Sequence, residues 1–299
     1  MDEILYKIGP IVVLFAIGYL LKLLKILKST DGDIFLKVVF YISLPALILN
    51  SVSKIELSTE LAFFPVSSAI LISIMFLLTK LTSRFFKFDN QTKGVYITGP
   101  MILNIGFALP FIIAFYGDTG LAKMALFDVS NGFLVFTWSY YLSCKYGGSG
   151  SGKVFIKKIL LSVPLWALMV GLTLNLGHIK INGFFSELFT ISGSLTIPLL
   201  MIALGAYFSP KIVLFKSLLL AVGIRMGAGF LIGWALCEII GLSGIDRSII
   251  LIGSSVPIGF NTIVFASLEK LNREFAASLV SVSILIGMLL IPLIILYTA

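Results

Sequence analysis

Two stretches of this 299-residue chain set proline, glycine and asparagine close together in otherwise apolar sequence. The first reads Gly99-Pro100-Met101-Ile102-Leu103-Asn104-Ile105-Gly106-Phe107-Ala108-Leu109-Pro110. The second reads Gly253-Ser254-Ser255-Val256-Pro257-Ile258-Gly259-Phe260-Asn261-Thr262. A proline inside a helix removes one backbone donor and clashes with the carbonyl four residues back. Those carbonyls belong to Gly106 and Gly253. In lipid a freed carbonyl must find another partner or face a water-filled cavity. Both helices are therefore expected to be interrupted near mid-membrane, with Asn104 and Asn261 beside the breaks. Two broken helices that cross would offer amide groups and positive half-helix ends to an anion. The candidate contacts are Asn104, Ile105, Gly106 and Pro110 from the first stretch and Pro257, Gly259, Asn261 and Thr262 from the second. The competing reading is a pair of proline kinks whose asparagines only hydrogen-bond neighbouring helices.

Two charges lie deep in apolar sequence. Arg225 falls midway along one long stretch, and Asp128 lies at comparable depth in another. A charge at the centre of a bilayer costs ~2.5–3.5 kcal/mol on insertion scales, so each residue is a functional candidate. Asp128 is the obvious partner for Arg225, as a structural ion pair or in a coupling role. Enzymatic chemistry fails on inventory. One His and two separated Cys make neither a zinc nor an iron site. No Cys–His nucleophile is available, and Asp128 is the only deep carboxylate. No metal and no cofactor is expected.

The elements that hold these residues are set by composition. The chain is 59% hydrophobic and only 12% charged, against roughly half and a quarter for a soluble domain. Apolar stretches fall at 4–22, 34–52, 60–80, 94–116, 120–144, 154–176, 184–208, 212–240, 248–268 and 274–297. Each is long enough for a helical span of ~20 residues, and together they leave no room for a soluble domain. The runs are continuous rather than alternating, which excludes a membrane β-barrel. The expectation is an all-α integral membrane protein of ten transmembrane helices.

The net charge of +8 comes from Lys and Arg grouped at helix ends, which is a topology signal and not a nucleic-acid face. One side of the membrane carries sixteen of them and the other five. The richer side is cytoplasmic, so both termini are expected outside a plasma membrane. Cys144 then lies at the inner face and Cys237 near the outer one, too far apart to pair. The acidic start Met1-Asp2-Glu3, with no small-residue cleavage site after the first apolar run, predicts a retained helix and no signal peptide.

Sliding the sequence along itself by 153 residues aligns Gly18 with Gly171, Pro45 with Pro198, Leu47 with Leu200, and Ile105-Gly106-Phe107 with Ile258-Gly259-Phe260. Five helices per half place the second half in the membrane upside down, as an inverted repeat. The predicted organisation is a first five-helix repeat over 1–145, a Gly/Ser cytoplasmic linker over 146–153 and a second repeat over 154–299. The linker matches the G-x-x-x-x-G-K part of a phosphate loop. A helix end precedes it, however, and Val154 stands where Ser or Thr would hold Mg²⁺. It reads as a flexible connection, with a composition like that of an engineered loop replacement.

These features resemble the auxin efflux carrier family, as a microbial member, within the bile acid/arsenite/riboflavin transporter superfamily. The resemblance runs through Ile17-Gly18-Tyr19-Leu20, Ser43-Leu44-Pro45-Ala46-Leu47, Asn104 to Pro110, Pro257-Ile258-Gly259, Val264-Phe265-Ala266 and Gly287-Met288-Leu289-Leu290-Ile291-Pro292. It implies a scaffold domain of helices 1, 2, 6 and 7. It also implies a mobile transport domain of helices 3–5 and 8–10, with helices 4 and 9 broken where they cross. The implied function is secondary-active export of a small organic anion, such as a carboxylate or auxin-like acid, by an elevator movement. It carries a substrate-contact role to Asn104, while Asn261 is offset from the plant pattern. The acidic residue of sodium-coupled relatives is absent from mid-helix 9, since Glu269 falls at the helix end. Two alternatives remain open: a cation-coupled uptake symporter, and a non-transporting sensor or channel-like protein on the same fold. The expected partners are a small organic anion and the lipid bilayer, with a homodimer as the assembly to consider.

Overall fold

Peptide groups in an apolar chain must pair within their own segment, and the chain responds with helices throughout. The computed structural model describes residues 2–28, 31–54, 59–147, 163–208 and 211–298, the side chains of 2–5 and 59–60 excepted. In chain order the helices are α1 (Asp2–Leu23), α2 (Gly32–Val52), α3 (Phe63–Phe85), α4 (Asn90–Thr98), α5 (105–116), α6 (118–147), α7 (Val163–Leu176), α8 (Gly183–Tyr207), α9 (Phe215–Ile240), α10 (Gly244–Ser255), α11 (Asn261–Leu268) and α12 (Arg273–Thr298). Gly117, at φ 55°, bends the chain between α5 and α6. No strand occurs among the described residues; Leu103 and Ile258 form an isolated antiparallel bridge.

Among the described residues, seven helical segments are long and apolar enough to cross a membrane. The ten expected stretches map onto them with specific losses. The fourth divides into α4 and α5 and the ninth into α10 and α11, and α5 runs on into α6. The sixth is described only from Val163, as a short apolar helix. Residues 148–153 of the linker and 154–162 of the sixth stretch, with Lys153, Lys157 and Lys158, lie outside the described residues. Large apolar side chains remain exposed in stripes, as at Leu289, Leu293 and Tyr297 of α12, 72%, 60% and 63% exposed. Spacing of four residues keeps them on one helix face, the pattern of a lipid-facing surface.

Contacts divide the chain into two compact units. The first holds α1, α2, α5 from Gly106, α6 to Leu126, α7 and α8. Here α1 packs on the second half of α8, and α2 on α7 and α8. Small residues let these backbones approach. A Cβ on Gly18 would collide with the Ile202 carbonyl, and one on Gly205 with the Phe15 carbonyl. A Cβ on Gly171 would sit 3.1 Å from Val52. Gly18 thus faces a backbone carbonyl of α8, and Gly171 a side chain of α2. Lys22 Nζ donates to the Phe208 carbonyl over 2.6 Å, holding the end of α8. Tyr207 donates to Asp33.

The second unit holds α3, α4, Ile105, α6 from Phe127, and α9 to α12. Asp89 caps α4 by accepting from Thr92 N–H at 2.6 Å, the usual chemistry of a helix start. From Ser248 to Ser255 every residue of α10 is buried, so this half-helix is the centre of the unit, enclosed by α3, α9 and α12. Cys144 and Cys237 are both unpaired and buried.

Gly18→Ala is expected to cost about 1–3 kcal/mol, because a backbone carbonyl cannot yield as a side chain does. Gly132→Ala, where a Cβ meets nothing within 4 Å, should be neutral or stabilising by up to ~1 kcal/mol. Thermal unfolding of the purified protein in detergent separates the two.

Candidate functional site

After α4 the chain makes one short 3₁₀ turn over Gly99–Met101 and then extends at Ile102, φ −100° and ψ 110°. Pro100 has no N–H to continue the ladder, so the α-helix passes into the 3₁₀ turn here, while Gly99 before it keeps helical φ −54° and ψ −55°. α10 ends at Ser255, and Val256, also before a proline, turns to ψ 152°. Each break leaves peptide groups that no helix satisfies, and the two breaks satisfy each other. Asn104 N–H donates to the Pro257 carbonyl at 3.0 Å, and Gly259 N–H donates to the Ile102 carbonyl at 2.8 Å. This is the Leu103–Ile258 bridge, two short antiparallel segments crossing inside the second unit. Gly259 is needed for the approach, since a Cβ there would lie 2.7 Å from Ile102 Cγ2 and 3.0 Å from the Leu103 carbonyl.

Side chains from flanking helices take up further peptide groups. Asn131 of α6 accepts from Leu103 N–H at 3.2 Å and donates to Asp128 at 2.6 Å. Ser283 of α12 accepts from Ile258 N–H at 3.0 Å. Arg225, fully buried on α9, donates through Nε to Val256 O at 3.0 Å and through Nη2 to Ser254 O at 2.9 Å and Gly253 O at 3.3 Å. Ile102, Val135, Tyr140, Cys144 and Phe265 form the apolar wall behind the first break.

The structure gathers six of the predicted contact residues in the second unit: Asn104 (6% exposed), Ile105 (6%), Pro257, Gly259, Asn261 and Thr262 (2%). Asn261 is half-buried at the start of α11. Thr262 Oγ1 is buried with no hydrogen-bond partner among the described residues, and its methyl group faces Gly99. Gly106 and Pro110 follow along α5 in the first unit.

Two expectations need correction. Pro110 does not mark the break, because it lies a turn inside α5 while the chain leaves helical geometry at Ile102. Pro100 is the proline at the break, whereas Pro257 does sit in its own. Nor do Arg225 and Asp128 pair among the described residues. The freed carbonyls of Gly253, Ser254 and Val256 take the guanidinium, and Asn131 takes the carboxyl group. Asn131 and Ser283 escaped notice from sequence, though a polar residue on the helix after each break was the available signal. Among the described residues no group of His, Cys, Asp and Glu is arranged to hold a metal.

Ser283→Ala would leave the buried Ile258 N–H without its acceptor, for an expected loss of about 1–3 kcal/mol. Thr137→Ala, which removes only a back-bond to Phe133 O on an exposed face, should stay within about 0.5 kcal/mol. Unfolding midpoints in detergent measure both.

The sequence model of the family described as membrane transport protein matches twice, over residues 3–153 and again over 149–295. An uncharacterized transporter of Methanocaldococcus jannaschii is 27% identical over 293 residues, 95% of each chain. Another, of Methanothermobacter thermautotrophicus, is 25% identical over 289 residues, covering 95% of this chain and 94% of its own.

Proposed function

This chain belongs to the membrane transport protein family, of the auxin efflux carrier type, and from that premise we propose that it exports a small organic anion by secondary-active transport. The observation that carries the reading is the pair of broken helices joined through the Leu103–Ile258 bridge. Half-helices α5 and α11 begin at Ile105 and Asn261, directly after the crossing. The amide ends of half-helices hold partial positive charge and attract an anion. Asn104 and Asn261 bind the carboxylate, Thr262 adds a hydroxyl, and Ile105 and Gly259 shape the floor. Pro257 holds its helix open, and Gly106 and Pro110 belong to the other unit.

Ten spans in two inverted five-helix repeats, 1–145 and 154–299 about the linker, account for the double family match. Helices 3–5 and 8–10, with the crossing among them, are the moving body of an elevator, and helices 1, 2, 6 and 7 are its scaffold. Both termini lie outside the plasma membrane. An inside-negative potential supplies ~2.3 kcal/mol per exported negative charge per 100 mV, which sets the direction outward.

Currents from proteoliposomes on a solid-supported membrane, after jumps in mono- and dicarboxylate concentration, test the reading. A saturable current is expected, and Asn104→Ala should raise its half-saturating concentration about tenfold or more, the loss of one hydrogen bond to a charged group. An unchanged half-saturating concentration would remove the crossing as the substrate site.

A further inference from the structure

The last carbonyls of any helix have no N–H within it, and the C-terminal end carries partial negative charge. At the end of α10 the deficit is larger, because Pro257 cannot donate to Gly253. Carbonyls gathered at an unwound half-helix end inside a membrane are the kind of ligand set that binds a monovalent cation. In this chain three of them, from Gly253, Ser254 and Val256, converge on the guanidinium of Arg225.

The face of α9 is shaped for this contact. Arg225 lies in a π-helical turn over Gly223–Ala228, an irregularity often found at functional sites. Gly229 and Gly233 follow at intervals of four and therefore share its face. A Cβ on Gly229 would strike the Ser254 carbonyl, and one on Gly233 would lie 2.7 Å from Ser254 Oγ. The two glycines admit the end of α10, and the arginine closes it. Among the described residues Arg225 forms no ion pair: Lys211 and Arg247 are the residues that pair with Glu274 and Glu238, and Asp128 is held by Asn131. The guanidinium is thus a buried cation whose ligands are backbone carbonyls. Arginine stays protonated in proteins, so the charge is permanent.

We propose that Arg225 is a tethered cation: it fills a carbonyl cation site at the end of α10, so that the carrier needs no inorganic cation there, and removing the guanidinium opens that site to a free monovalent cation. The proposal deepens the carrier reading and rests on it only where transport is measured.

The test uses the full chain purified in detergent. Unfolding midpoints of the unmodified protein should be the same in sodium chloride and choline chloride at equal ionic strength. Arg225→Ala should lower the midpoint by ~5 °C or more. Guanidinium chloride at millimolar, non-denaturing concentration should raise it again along a saturating curve, as ligand binding requires, with no rise in the unmodified protein. Arg225→Lys, which keeps a cation, should lie nearer the unmodified protein than Arg225→Gln, which keeps only hydrogen bonding. If Arg225→Ala does not fold, the Lys and Gln variants decide. Three results would overturn the proposal: no saturable recovery of Arg225→Ala by guanidinium, a Gln variant as stable as the Lys variant, or a sodium-specific rise in the unmodified protein. In proteoliposomes, an anion current equal in sodium and choline supports the proposal, and one that requires sodium defeats it. Silence toward every anion defeats the carrier reading instead, and leaves the tethered cation to the thermal measurements.

Discussion

A peptide group left unpaired in the interior of a membrane costs several kcal/mol, and the second unit is organised around meeting that cost at two places. A chain that only needed to span lipid would keep its helices whole. Here α4 ends before Ile102 and α10 before Val256, which frees donors and acceptors deep in an apolar sequence. The antiparallel bridge between the breaks satisfies Asn104 N–H, Gly259 N–H and the Ile102 and Pro257 carbonyls in one stroke. Each break supplies the other's partners, so the crossing is a single hydrogen-bonded element.

Sequence made much of this legible, because the signals were backbone signals. Pro257, Gly259 and the long apolar runs declare a broken helix whatever surrounds them. The same reasoning misplaced the first break because two prolines, Pro100 and Pro110, bracket it. Pro110 is accommodated within α5, one turn past the start, at the cost of one ladder bond to Gly106, whereas Pro100 meets an already ending helix at Gly99. What sequence could not supply was the partner of each charge. Arg225 and Asp128 are natural partners when only charge is counted, yet the choice is made by acceptor density. Three carbonyls at the end of α10 converge where the guanidinium of α9 reaches, and no spacing rule in one dimension contains that convergence.

The two units use glycine differently, and the difference fits their composition. In the first unit Gly18 and Gly205 remove side chains so that α1 and α8 can lie backbone to backbone, with carbonyl groups as the contacting atoms, while Gly171 makes room for the Val52 side chain. In the second unit Gly229, Gly233 and Gly259 make room at helix ends and at the bridge. There the close approach serves hydrogen bonding rather than helix-to-helix packing, and it positions the residues of the candidate site.

The same deficit is met by unlike chemistry on the two sides of the crossing. At the first break the shortage is a donor without an acceptor, Leu103 N–H, and a carboxamide backed by a carboxyl group supplies it through Asn131 and Asp128. At the second break Ser283 meets the Ile258 N–H, and the larger shortage is carbonyls without donors, three of which a group with several donors in a fixed fork answers together. Exchanging the two solutions would fail: a carboxyl group at the end of α10 would face like partial charge, and a guanidinium at Leu103 would meet another donor. The separation of Arg225 from Asp128 therefore follows from where the three free carbonyls lie. Arg225 goes to the helix terminus whose unmet carbonyls have the opposite polarity, Asp128 backs the carboxamide that meets Leu103 N–H, and the bridge leaves Asn104 and Asn261 as the carboxamides directly flanking the crossing.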